Sequence, residues 1–180
     1  MKKRLMLLYF LVGTLAGIFF HNGDIPFPVS NEKQIAVSFP KNELRTVVRV
    51  VDGDTIVVQI NGIAKKVRLI GLDTPEIVDS RKPVECFGKE ASDEAKKILS
   101  GKQIRLETDP SQGAYDKYGR LLAYVFLTDG TNLNKMMIEN GYGYEYTYDM
   151  PYKYQTEFKQ AEKEARENKR GLWAEGKCDR

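Results

Sequence analysis

Two turn dipeptides, Asp52-Gly53 and Asn61-Gly62, constrain this chain more than any other feature, because each interrupts a run rich in Val and Ile. Both pairs accept the positive backbone angles that tight hairpin turns require. Residues 45–51, 54–60 and the KKVRLIG run at 65–71 therefore read as a meander of three antiparallel strands. Ala91, Ala95, Ile98 and Leu99 share one face of a helix over about 88–99 that Gly101 ends. QIRLE at 103–107 and residues 120–127 supply two more strands. Asn132 then caps a short helix that turns Leu133, Met136 and Met137 inward before Gly141, with the methionines read as core filling. A third helix over 154–169 carries Phe158, Ala161 and Ala165 along one stripe, and Leu172 and Trp173 fold back after it. The fold class is α+β: a closed or nearly closed five-stranded β-barrel with three helices, which leaves no free sheet edge.

With 180 residues and 42% hydrophobic content the chain holds one domain with a full core. Residues 1–20 join the cations of MKKR to LMLLYFLVGTLAGIFF, and they read as a signal peptide or an N-terminal membrane anchor, with membrane contact through residues 5–20. No clear small-residue cleavage site decides between the two, and either places the rest of the chain outside the cytoplasmic membrane. Residues 21–44, with Pro26, Pro28 and Pro40, form a linker; 45–175 are the domain, and 176–180 a C-terminal tail. The formal charge of +3 disappears when Lys2, Lys3 and Arg4 are set aside, since 25 of the 28 basic residues then face 25 acidic ones. Any attraction of the folded part for a polyanion must therefore be local. Export would permit a disulfide between the two cysteines, Cys86 and Cys178, whereas two thiols alone do not make a four-ligand zinc site.

Chemistry concentrates in three short runs. Asp54 stands beside a glycine turn at a strand start, Asp73 follows the next strand, and Pro75 stiffens the backbone beside Glu76. The hairpin can bring the two aspartates to one rim, where their oxygens, the Thr74 carbonyl and water suit Ca²⁺. Arg68 points away from the face shared by Val67 and Leu69, and Arg120 follows Tyr118-Gly119. Guanidinium forks match phosphoryl oxygens and reward negative charge developing on phosphorus. Glu76 is expected to orient or deprotonate the attacking water, with a metal-ligand or surface ion-pair role left open by the residues alone. The aromatic run YGYEYTYDMPYKY at 142–154 supplies Tyr146 and Tyr148, and DKYGR supplies Lys117 and Tyr118, as substrate-contacting candidates.

Taken together, VDGDT, VRLIGLDTPE, ECFGKEAS, YDKYGRLLAYVF and KRGLW resemble the thermonuclease family of staphylococcal nuclease and its relatives over roughly residues 45–175. That resemblance implies an oligonucleotide-binding-type barrel carrying three helices, and a Ca²⁺-dependent endonuclease of DNA and RNA. The 5′ P–O bond would break to leave 3′-phosphate ends. Asp54 and Asp73 match the family's calcium carboxylates, Glu76 its water-activating glutamate, and Arg68 and Arg120 its phosphate-binding arginines. Lys117, Tyr118, Tyr146 and Tyr148 match its nucleotide-contacting positions. The expected partners are single-stranded or locally opened DNA and RNA, with no obligate protein partner indicated; the expected location is secreted or on the extracellular face of a bacterial membrane. The segment IVDSRKPVECF and the balanced body charge depart from the best-known member. A noncatalytic nucleic-acid-binding barrel at the envelope is the competing reading, and the presence of all three acids and both arginines argues against it.

Overall fold

The computed structural model describes residues 37–77 and 83–178. The expectations for the leader or anchor and for most of the linker lie outside those residues. Among the described residues no helix is long and apolar enough to cross a membrane.

The meander forms, but neither Asp52 nor Gly53 takes a positive φ, because the first two strands are joined by the longer connection 51–54 and not by a two-residue turn. Strands β1 (Leu44–Val50), β2 (Thr55–Ile60) and β3 (Ile63–Leu69) pair antiparallel in order, and the β2–β3 register runs without interruption from Thr55↔Arg68 to Ile60↔Ile63. Asn61 (φ 49°) and Gly62 (φ 80°) both take the left-handed backbone that a two-residue hairpin turn needs. After the short β4 (Leu72–Asp73) come helix α1 (Gly88–Leu99) and strands β5 (Gln103–Glu107) and β6 (Leu121–Phe126). Helix α2 (Leu133–Glu139), strand β7 (Tyr144–Glu145), helix α3 (Gln155–Glu167) and a 3₁₀ turn at Gly171–Trp173 complete the order. β5 is antiparallel to β1 and β6, and β6 lies parallel to β3, so the sheet closes as β1-β2-β3-β6-β5. The fold is the expected α+β barrel with three helices.

Alternation fills the barrel. Val47, Ile56, Val58, Val67, Leu69, Ile104, Leu106, Ala123 and Val125 are buried, and Ala95 and Leu99 of α1, Leu133, Met137 and Ile138 of α2 and Phe158 of α3 extend the same core. Asn132 caps α2 as its sequence position requires, its side chain accepting the Lys135 N–H at 3.2 Å. Met137 enters the core, whereas Met136 is only half-buried at its edge, which corrects the expectation that both turn fully inward. The inward position on the preceding turn belongs instead to Asn134. Its amide donates to the Ile70 carbonyl at 2.8 Å and accepts from the Val125 N–H at 3.0 Å, so a fully buried polar group is satisfied at both ends.

Two features reach across the chain. β4 pairs antiparallel with β7 through Leu72↔Glu145 and Asp73↔Tyr144, so Asp73 lies just beyond β3, as expected, and in a short strand of its own, and the tyrosine-rich run carries a strand too. Cys86 and Cys178 are joined by a disulfide with their Cα atoms 5.8 Å apart, across a sequence separation of 92. A disulfide typically stabilises a fold by about 2–4 kcal/mol, mainly by restricting the unfolded chain.

Candidate active site

The Asp52-Gly53 turn sets the position of Asp54. The Asp52 carboxylate accepts the Asp54 N–H at 3.1 Å, and the Asp52 N–H donates to the Thr55 carbonyl at 3.3 Å. A Cβ on Gly53 would stand 2.7 Å from the Thr74 methyl, so only glycine lets this turn close on Thr74. Asp54 is buried at 5% exposure, and its charge is met on every side. Oδ2 accepts the Thr74 N–H at 2.9 Å and the Thr74 hydroxyl at 3.1 Å, while Oδ1 accepts the Thr55 hydroxyl at 2.9 Å.

Arg68 faces Thr55 across the β2–β3 ladder. One terminal nitrogen of its guanidinium pairs with Asp54, and the other donates to Asp73 at 2.7 Å. One cation thus bridges two carboxylates, those of Asp54 and Asp73, that lie far apart in sequence. Arg120 is held as firmly from a different element. Its Nε donates to Asp116 at 2.6 Å, its backbone N–H to the other oxygen of that carboxylate at 2.9 Å, and its Nη1 reaches the Thr55 hydroxyl at 3.4 Å. Thr55 therefore touches both Asp54 and Arg120. Burial pushes the Asp116 carboxyl up, but the bonds from Arg120 and from the Tyr118 N–H outweigh it and hold the group below its ordinary range. Burial has the opposite outcome at Asp52, whose carboxyl is raised despite Arg68 nearby, with the negative charge of Glu76 adding to the rise.

Arg68, Asp73, Lys117, Tyr118, Arg120, Tyr146 and Tyr148 line one cavity of about 440 Å³ at the barrel wall. The Tyr146 N–H donates to the Gly71 carbonyl at 3.1 Å, and this bond carries the β7 chain over the groove. The rings of Tyr146 and Tyr148 lie 6.4 Å apart, and Tyr118 presents its face to Lys117 at 5.1 Å and to Arg120 at 5.4 Å. Tyr118 and Tyr148 are each 71% exposed, which suits stacking on something from outside better than packing within.

Asp54 and Thr74 are buried residues that do not line this cavity, and Thr74 meets Asp54 through its amide and hydroxyl. Glu76 also stays outside the lining, with its carboxylate accepting the Ile77 N–H at 2.8 Å and its own N–H donating to Glu85 at 3.0 Å. Sequence reasoning missed Asp52, Thr55, Asp116 and Tyr115 as parts of the site or its lining. The one available signal was the i, i+4 spacing of Asp116 and Arg120 within DKYGR, which puts acid and base within reach across a tight turn.

The donor set can be tested against a hard cation. Asp54 and Asp73 offer carboxylate oxygens on both sides of one positive group, which marks the point where this rim stabilises positive charge. That pair fits Ca²⁺ held by two carboxylates with water completing its shell. It does not form a closed cage, since among the described residues no three acidic, His or Cys side chains gather at ligand distance.

A closed five-stranded barrel with three helices, carrying two arginines and exposed tyrosines in one wall groove, belongs to the oligonucleotide-binding class of barrels. Residues 66–175 match the family described as staphylococcal nuclease homologue. The chain is 40% identical over 143 residues to a thermonuclease of Staphylococcus hyicus, an alignment covering 79% of this chain and 82% of the relative. A thermonuclease of Staphylococcus intermedius is 40% identical over 152 residues, covering 84% and 85%. Endonuclease YncB of Bacillus subtilis is 34% identical over 148 residues, covering 79% and 69%. The chain belongs to the staphylococcal nuclease family.

Proposed function

We propose that this chain is a nuclease that hydrolyses phosphodiester bonds of DNA and RNA with Ca²⁺, cutting the 5′ P–O bond to leave 3′-phosphate ends. The observation that carries the reading is the placement of Arg68 and Arg120 in one groove, each oriented by a carboxylate, beside the Asp54–Asp73 pair. A guanidinium has five N–H donors, so each arginine keeps donors for phosphate after meeting its acidic partner. A scissile phosphate in the groove would compete with Asp73 for Arg68 and draw on the free edge of Arg120. Both contacts strengthen as negative charge grows on the phosphoryl oxygens. Asp54 and Asp73 would hold Ca²⁺, which supplies charge stabilisation at the phosphoryl oxygen when bound. Glu76, acidic and close enough to raise Asp52, would orient the attacking water and accept its proton. Tyr146, Tyr148 and Tyr118 would receive bases or sugars of an opened strand, which a duplex does not present.

Export is part of the proposal. The cationic start and apolar run of residues 1–20 support it, and so does a disulfide, which persists in oxidising compartments.

Release of acid-soluble nucleotides from single-stranded DNA tests the function. Hydrolysis is expected with Ca²⁺ and is expected to stop with excess EGTA. Binding of the same DNA without hydrolysis, across pH and calcium concentration, would instead identify a noncatalytic nucleic-acid-binding barrel.

A further inference from the structure

Glu76 sits on a backbone that a second acidic residue grips. Glu85 accepts the Glu76 N–H on its side-chain Oε2 at 3.0 Å and returns its own N–H to the Glu76 carbonyl at 2.9 Å. Both polar groups of one peptide position are therefore held by a single residue, nine positions away. Such a reciprocal pair fixes direction as well as distance, because rotating the Glu76 backbone would break both bonds together.

The grip is itself anchored at several points. The Glu85 carbonyl accepts the Gly88 N–H at 3.0 Å, which ties it to the first residue of α1. Gly88 lies so close to the Glu76 segment that a Cβ there would stand 2.6 Å from the Ile77 side chain and 2.8 Å from the Pro75 carbonyl. Phe87 holds a left-handed backbone at φ 68°, costly for a bulky residue, with its ring 5.8 Å from that of Tyr142. Cys86, adjacent to Glu85, is bonded to Cys178. Helix start, ring contact and disulfide together determine where Glu85 can stand.

We propose that Glu85 is a positioning residue that holds the Glu76 backbone in the orientation its carboxylate needs, a role that rests on the reading of Glu76 as the residue that handles the attacking water. Its carboxylate does not itself have to meet substrate. An acceptor oxygen is what the position demands, and glutamine also supplies one.

Purified Glu85→Ala and Glu85→Gln, with the disulfide intact, test this by two readouts. With Ca²⁺ and single-stranded DNA, Glu85→Ala is expected to lower kcat by about 10- to 100-fold, as misplacement of a catalytic group does. KM should stay within about threefold, because the phosphate-binding arginines are untouched. Glu85→Gln should recover most of kcat. Independently of activity, amide hydrogen exchange at Glu76 should quicken about tenfold in Glu85→Ala, from the loss of its acceptor, and return in Glu85→Gln. Wild-type kcat in Glu85→Ala would overturn the proposal, as would equal losses in the two variants, which would mark the charge and not the acceptor as the need. If wild-type protein hydrolyses nothing, the nuclease reading fails, and unchanged Glu76 exchange in Glu85→Ala would separately refute the grip.

Discussion

Glu76→Gln is expected to lower turnover by about 10²- to 10⁴-fold, the range that a positioned acid–base group contributes. The Glu76 carboxylate accepts the Ile77 N–H at 2.8 Å, a bond that a glutamine oxygen can keep, and the two hydrogen bonds with Glu85 use the Glu76 main chain. Charge and basicity are lost while side-chain shape and these bonds stay. Nucleic-acid affinity should hold within a few-fold, since Arg68 and Arg120 are unaffected. Steady-state kinetics of the purified variant with saturating Ca²⁺ decide the point. Turnover near wild type would remove Glu76 from the chemistry.

Arg120→Lys is expected to cost about 10²- to 10³-fold in kcat, the loss seen when a directed donor to a developing oxyanion is removed. Positive charge survives this change, so the variant separates attraction from direction. In the native protein the Arg120 side chain spends Nε on Asp116 at 2.6 Å and directs Nη1 towards Thr55 at 3.4 Å, which sets the plane of the whole fork. A lysine ammonium has no plane to set. It can pair with Asp116 and still present nothing ordered to phosphate. Measured kcat and KM together check this: a fall in kcat with little change in KM fits contacts made in the transition state, whereas a rise in KM alone would mean that Arg120 only binds.

The parts of this molecule that were legible from sequence are those governed by neighbours in the chain. Asn61-Gly62 predicts a hairpin because both residues must take positive φ there, and they do, at 49° and 80°. Asn132 predicts the start of α2 because its side chain caps an amide three residues on. The opposite directions of Val67 and Arg68 followed from the two-residue period of a strand. What escaped depends on distant segments meeting. The parallel pairing of β3 with β6 closes the barrel, and nothing near residues 67–69 announces a partner at 121–123. β7 has only two residues and exists because β4 is there to pair with it. For the same reason Asp54 and Asp73 could be proposed as a pair, but not as two partners of one Arg68 guanidinium. Asn134 is a polar residue on an apolar helix face, and its burial makes sense only once Ile70 and Val125 stand at its two ends.

The groove that joins Arg68, Arg120 and the tyrosines is more specific than the barrel that carries it, since such barrels support binding and catalysis alike. Mass analysis of the fragments from a single-stranded oligonucleotide incubated with the wild-type protein and Ca²⁺ reads out which bond is cut. Internal cleavage giving 3′-phosphate and 5′-hydroxyl ends is expected. An oligonucleotide that binds and remains whole, or fragments with 5′-phosphate ends, would contradict it.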